Sequence, residues 1–323
     1  MDGFFQTELC QRLGIDYPII QGGMAWVATG ELAGAVSAAG GLGVIGAGNA
    51  PAEVVAEEIE KVRSITDKPF GVNVMLLSPF VEEIVELVTR KKVPVVTTGA
   101  GNPGKYISRF KEGGCQVVPV VSSTALAKRM TRLDISAVIA EGGEAGGHVG
   151  KLNTMAMIPQ IVDAVNVPVI AAGGIADGRG LLAALTLGAQ GVQLGTRFVC
   201  CEECTASQAY KEAIIKARDR STVVTGRSTG HPVRVLKNIF TRELEKMEEQ
   251  GCKPEEIEEF GEDKLRQAVC EGKVDEGSVM AGQIAGLIGE ILPAEKIITG
   301  MIREARQLLD KQCQQWEAEK NGK

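Results

Sequence analysis

The sequence is short of the residues from which many sites are built. Only two histidines, His148 and His231, occur in 323 residues, so the side chain that titrates nearest neutral pH is used sparingly. No apolar run approaches the roughly 20 residues that a membrane helix needs. The opening stretch, MDGFFQTELCQRLGIDYPII, lacks the basic start and apolar centre of a signal peptide, and a cytoplasmic location is expected. Net charge is −6, with no basic stripe and no interleaving of basic and aromatic residues, which excludes a nucleic-acid surface. The eight cysteines are scattered through a chain long enough to have its own core, so reduced thiols are expected rather than a disulfide framework. CCEEC at 200–204 contains one C-x-x-C. With no second such pair and no histidine nearby, it completes no tetrahedral metal set, and these thiols are expected to be incidental.

What is abundant is glycine, with 40 residues, many of them closing apolar runs. Hydrophobic residues make up 44% and charged residues 24%, as in an ordinary globular protein with a buried core. Eight short apolar runs stand out: 17–23, 41–46, 70–76, 93–99, 115–121, 137–143, 167–174 and 191–198. Most are apolar at successive positions, as parallel strands covered on both faces are. Helical stretches lie between them at 31–40, 51–65, 78–92, 122–133, 154–165 and 178–189, several with recognisable starts such as Pro51 and Ser78-Pro79. Eight evenly spaced units predict an α/β fold, a (β/α)8 TIM barrel; an open doubly wound sheet would not require eight. After Phe198 the strand signal gives way to a charged, helical texture. The expected organisation is a barrel of residues 1–204 and 277–323 with a small helical lid, 205–276, inserted after the eighth strand. Within the returning segment, 277–292 is apolar with small residues at helical spacing, and 294–320 reads as a closing helix.

Barrel enzymes carry their sites at the C-terminal ends of the strands. Here those ends hold Gln21-Gly22-Gly23-Met24, Asn73, Thr97-Thr98-Gly99, Glu141, Gly173-Gly174 and Gln193-Leu194-Gly195-Thr196. The last two clusters suit a phosphate, because glycines expose backbone N–H groups and Thr196 adds a hydroxyl. Phosphate beside a broad glycine rim suggests a flat cofactor across the mouth, for which flavin mononucleotide fits. Met24 would meet the ring edge and Asn73 would hydrogen-bond to it. Taken singly, Met24 reads as core packing and Asn73 as a satisfied polar strand residue.

The segments YPIIQGGMAWVATGELAGAVSAAGGLGVIGAGN, KPFGVNVMLLSP, VVTTGAGNP, AEGGEAGGHVG, VPVIAAGGIADGRG, VQLGTRF and GSVMAGQIAGL together resemble the nitronate monooxygenase / 2-nitropropane dioxygenase superfamily. QGGMAWV, MLLSPF and TTGAGNP point to its flavin-dependent enoyl-[acyl-carrier-protein] reductase II branch. The resemblance implies noncovalent FMN, NADH or NADPH as hydride source, and a trans-2-enoyl thioester carried on acyl carrier protein as substrate. It implies flavin contacts at Gly22, Gly23, Met24, Asn73, Glu141, Gly147, Gly173, Gly174, Gln193, Gly195 and Thr196, with His148 as the catalytic residue. A response to monovalent cations is also implied, with no site legible in the residues. A homodimer is the expected assembly, again with no legible interface.

His148 sits in EGGEAGGHVG, where glycines let the chain turn tightly beside a cofactor. Imidazole can donate a proton or a hydrogen bond near neutral pH, and reduction of an enoyl thioester leaves enolate charge that needs such a group. It could equally position substrate and nicotinamide. Glu141 is expected near the flavin; Glu144 has no assigned role. His231, with Arg227, Arg234 and Lys237, forms a basic cluster that could dock an acidic carrier protein, or could be solvated surface. The competing activity is oxidation of alkyl nitronates with O2, in which the same histidine would be a base. A flavin-binding sensor without turnover is the third possibility.

Overall fold

The computed structural model describes residues 5–321. Eight parallel strands close into a barrel: β1 (Ile19–Gln21), β2 (Leu42–Gly46), β3 (Gly71–Met75), β4 (Val95–Gly99), β5 (Gln116–Val121), β6 (Val138–Glu141), β8 (Val169–Ala172) and β9 (Gly191–Leu194). Each of the eight apolar runs supplies one of them. Closure is made at β1, where Ile20 stands in register with Leu42 of β2 on one side and Gln193 of β9 on the other. Residues 1–4 and 322–323 of the expected barrel segments lie outside the described residues.

Side chains divide by strand parity. Ile20, Val44, Val95, Val118, Ile139 and Ile170 fill the barrel interior, whereas Ile19, Ile45, Val96, Val117, Val138 and Val169 face the surrounding helices. Both sets are buried, which is why the runs are apolar at consecutive positions. The outer helices are Gly30–Ala38, Ala52–Ile65, Val81–Arg90, Thr124–Met130, Thr154–Val162 and Gly178–Thr186, as the pattern predicts. The helical turns Pro103–Tyr106 and Ile107–Glu112 fill the place after β4. A short helix, Glu8–Leu13, buries Leu9, Cys10 and Leu13 against the barrel interior and closes its N-terminal end.

The insertion after β9 corrects the expectation of an all-helical lid. It contains the hairpin β10 (Thr222–Thr225) and β11 (Val233–Leu236) besides helices Gln208–Ile215, Ile239–Glu249, Pro254–Gly261 and Lys264–Glu271. TVVT and VRVL are β-branched runs, but short and set among charged residues. The partner that completes their sheet comes from elsewhere in the chain. It is β7 (Gly147–His148), a two-residue strand in the loop after β6, and the sheet order is β10-β11-β7. The lid has its own small core of Phe240, Leu244 and Ile257. Residues 277–292 return across lid and barrel as an extended strap. They carry one 3-10 turn, Gln283–Leu287, and bridges from Met280 to Val235 and from Leu292 to Cys201, in place of the expected helix. Helix Ala294–Asn321 then packs on Gly178–Thr186. Among the described residues no helix is long and apolar enough to cross a membrane.

Candidate active site

The C-terminal strand ends form one rim, and several predicted residues meet there as a continuous strip. A Cβ on Gly23 would lie 2.3 Å from the Asn73 Cβ, and one on Gly22 would lie 3.0 Å from Gln193 Cδ. Those glycines are therefore fixed by close approach of neighbouring side chains. Met24 runs over β2, where a Cβ on Gly46 would come within 2.5 Å of its carbonyl oxygen, and its Sδ would stand 3.4 Å from a Cβ on Gly195. Asn73 donates from Nδ2 to Thr97 Oγ1 at 2.9 Å, and its Oδ1 accepts nothing within the described chain. Gln21 belongs to the frame instead: its buried amide exchanges hydrogen bonds of 3.2 and 3.1 Å with the backbone of Val44.

The strip ends at the loops after β8 and β9. Ala172 and Gln193 are in register, so Gly173-Gly174 and Gly195-Thr196 leave the sheet side by side. Gly173 and Gly174 have φ of 88° and 75°, a left-handed pair that side chains resist. The backbone N–H groups of Gly174, Gly195 and Thr196 have no acceptor among the described residues. Thr196 Oγ1 accepts the Gly282 N–H at 2.9 Å, which leaves its own O–H to donate. This arrangement suits an anion bound by backbone donors.

Glu141, the last residue of β6, is partly buried, and its carboxylate makes no hydrogen bond or ion pair among the described residues. Desolvation pushes its carboxyl up to about 7. Glu144 is a structural residue. Its carboxylate accepts from Thr154 N and Oγ1 at 3.0 Å and starts helix Thr154–Val162. Between them Gly143 O accepts two bonds from Arg234 of β11, at 3.1 and 2.9 Å. Arg234 is thus committed to bracing this loop and is withdrawn from the expected basic cluster; Arg227 and Lys237 remain exposed.

The brace continues as sheet. Gly147 (φ 78°) pairs with Arg234 and His148 with Val233, and Val149 N donates to Pro232 O at 3.0 Å. The pairing brings the chain's only two histidines together, ring centroids 6.5 Å apart and planes at 89°. His148 has its pKa lowered, first by desolvation and then by His231, although part of the ring is open to solvent. Both rings line a cavity of about 510 Å³ that runs under the lid. Sequence reasoning missed this cavity, the hairpin and the Arg234 brace, because no local spacing announces a strand pair between 147–148 and 233–234. Cys200, Cys201 and Cys204 are buried free thiols; burial raises Cys200 to about 11, and Cys201 donates to Glu203 Oε2 at 2.8 Å. They are inert at neutral pH.

The glycine rim of the barrel and His148, pinned by the lid in the loop after β6, are the two parts of the site, and the comparisons give its class, an oxidoreductase. The nitronate monooxygenase family profile matches residues 6–86 and 79–304, and the chain belongs to that family. Among solved structures it is similar to FabK from Thermotoga maritima, an enoyl-ACP reductase II, with 49% identity over 94% of this chain and 97% of that one, and a TM-score of 0.92. A nitroalkane oxidase from Streptomyces ansochromogenes is 28% identical over 93% of this chain and 99% of its own, with a TM-score of 0.83. A (3aS,4S,5R,7aS)-5-hydroxy-7a-methyl-1-oxo-octahydro-1H-indene-4-carboxyl-CoA dehydrogenase from Mycobacterium tuberculosis is 40% identical over 243 residues, 74% of this chain and 68% of the relative.

Proposed function

We propose that the protein reduces trans-2-enoyl thioesters on acyl carrier protein with NADH or NADPH, using FMN, as a barrel (1–204, 277–323) with a substrate-covering lid (205–276). The observation that carries the reading is the placement of His148: the lid hairpin pins it in the loop after β6, beside a mainly apolar cavity. The likeness to FabK across 94% of the chain supports it, as does the relative whose name carries a carboxyl-CoA substrate.

The residues present fit FMN. Gly22, Gly23, Met24, Asn73, Gln193 and Gly195 would hold the ring, and Gly173, Gly174 and Thr196 the phosphate, with Glu141 and Gly147 at the ring's far edge. When bound, the flavin supplies hydride relay from the nicotinamide nucleotide to the substrate β-carbon. The chain supplies the rest. Asn73 Oδ1 would accept a hydrogen bond from the ring, and the unpaired N–H groups after β8 and β9 would hold the phosphate. His148, with its lowered pKa, is neutral at pH 7. It therefore donates a hydrogen bond to the thioester oxygen, where negative charge develops, and the proton that completes the product at Cα comes from solvent. Glu141, near its midpoint at pH 7, can offer a neutral carboxyl to the ring. Exposed Arg227 and Lys237 face an acidic carrier protein, and the enzyme works as a homodimer.

The test is anaerobic flavin absorbance. Bleaching by NADH or NADPH and recolouring by a trans-2-enoyl thioester is expected; bleaching by a nitronate but not by either nucleotide would place the activity with nitronate oxidation. His148→Ala should keep its flavin and lose most recolouring.

A further inference from the structure

We infer that the cavity beneath the lid is the binding site for the acyl tail of the substrate, and that its walls set the preferred chain length. This rests on the enoyl-thioester reading above. The cavity begins at His148 and is about 510 Å³ in volume, within the range of small-molecule sites. Its wall is mainly hydrocarbon, from Val235 of β11, Phe240 and Leu244 of one lid helix, Ile257 and Leu265 of the next two, and Met280 of the strap, with Thr225, Thr229 and Ser278 as polar breaks. Those six residues come from five separate segments, so the hollow exists only because the lid and the strap fold together.

Charge decides which part of the substrate enters. Glu258, Glu259 and Glu262 are exposed along the cavity edge, and no lysine or arginine lines it. A nicotinamide nucleotide or the phosphate of a carrier arm would meet repulsion there. The pantetheine arm has two amides, whose polar groups would lose water against a mainly apolar wall. The uncharged acyl tail has neither fault. With the thioester oxygen at His148 and the double bond over the floor, the tail continues away from the carrier and into the hollow.

The flavin-loaded enzyme provides the test. With trans-2-enoyl pantetheine thioesters of increasing length, kcat/KM should climb by up to roughly fourfold per buried methylene and then level off once the hollow is filled. Leu265→Trp adds bulk at a half-buried wall position and should lower the ratio of kcat/KM for a dodecenoyl over a butenoyl substrate by about tenfold or more. Leu244→Ala should raise that ratio for tails beyond the wild-type plateau. Binding of saturated butanoyl and dodecanoyl pantetheine, read by calorimetry, should show the same length dependence and its loss in Leu265→Trp, with no turnover involved. A flat length profile in the wild type, or a long-to-short ratio unmoved in both variants, would overturn the tail site while leaving enoyl reduction standing. Failure of every enoyl thioester to recolour reduced flavin would remove the functional reading itself, and the tail site with it.

Discussion

Replacing Glu141 with glutamine tests whether the end of β6 lies in a dehydrated mouth. The carboxyl is carried from the usual 4.5 to about 7 by desolvation, with no partner to offset it. Between those two values the folded chain keeps a proton that the unfolded chain has released. Stability therefore falls as pH rises through this window, and the loss is complete above the folded-state value. A displacement of this size corresponds to about 3 kcal/mol. Glutamine has nearly the same shape and never ionises. In flavin-free protein Glu141→Gln should match the wild type near pH 4.5 and exceed it by about 3 kcal/mol at pH 8, a rise of roughly 6 °C in Tm for a domain of this size. The assay is thermal unfolding of both proteins at half-unit steps from pH 4.5 to 8. A Tm difference that does not change with pH, or a variant less stable at pH 8, would show that the carboxylate is ionised and well solvated, and would refute the desolvated mouth.

Other consequences are separable from this one. With only two imidazoles in the chain, an NMR titration reads each directly: His231→Phe should raise the His148 pKa toward the ordinary range, and an unmoved value would mean that desolvation alone sets it. Gly174→Val forces a β-branched residue to φ near 75°, costing about 1–2 kcal/mol or more, and should release flavin on gel filtration; full retention would refute the phosphate site. Arg234→Met leaves the Gly143 carbonyl without its donor, a loss of about 1–3 kcal/mol, and should speed amide exchange across 142–150; unchanged exchange would show the brace to be idle.

The barrel was legible because each strand is buried on both faces, so apolar runs mark them without alternation, and because glycines punctuate their ends. Val138 and Ile139, neighbours in sequence, belong to different layers of the core, and nothing about the pair is polar. Met24, Asn73 and Gln193 were legible as rim residues from strand ends alone; the close approach of Asn73 to Gly23, of Gln193 to Gly22 and of Met24 to Gly195 was not, since it depends on the order in which the barrel closes. The closing helix at the barrel's base was overlooked because six residues with three apolar positions give too short a period to separate from a loop. The lid hairpin was hidden for another reason. Its strands are four residues long, and β7 is two, so the sheet is stable only as a tertiary assembly. Arg234 shows the cost of reading charge without geometry: in the sequence it is one more cation beside His231, but in the fold its guanidinium is spent on a backbone carbonyl of the glycine loop.

That sheet has a mechanical consequence. The glycines of EGGEAGGHVG give the loop after β6 little stiffness of its own, because they carry no side chains to pack and Gly147 adopts a positive φ. Rigidity is lent from outside. Arg234 holds Gly143, β11 holds Gly147 and His148, Pro232 holds Val149, and Gln283 N donates to Glu144 O at 2.9 Å from the strap. Every one of these supports belongs to the lid or to the strap that follows it. Displacing the hairpin from the barrel therefore means breaking its strand pairs with the loop or carrying His148 along, and either course moves the imidazole relative to the floor. The lid wall around the tail cavity and the hydrogen-bond donor at its mouth are thus one assembly, so a tail that fills the cavity also fixes the distance from His148 to the reacting carbons.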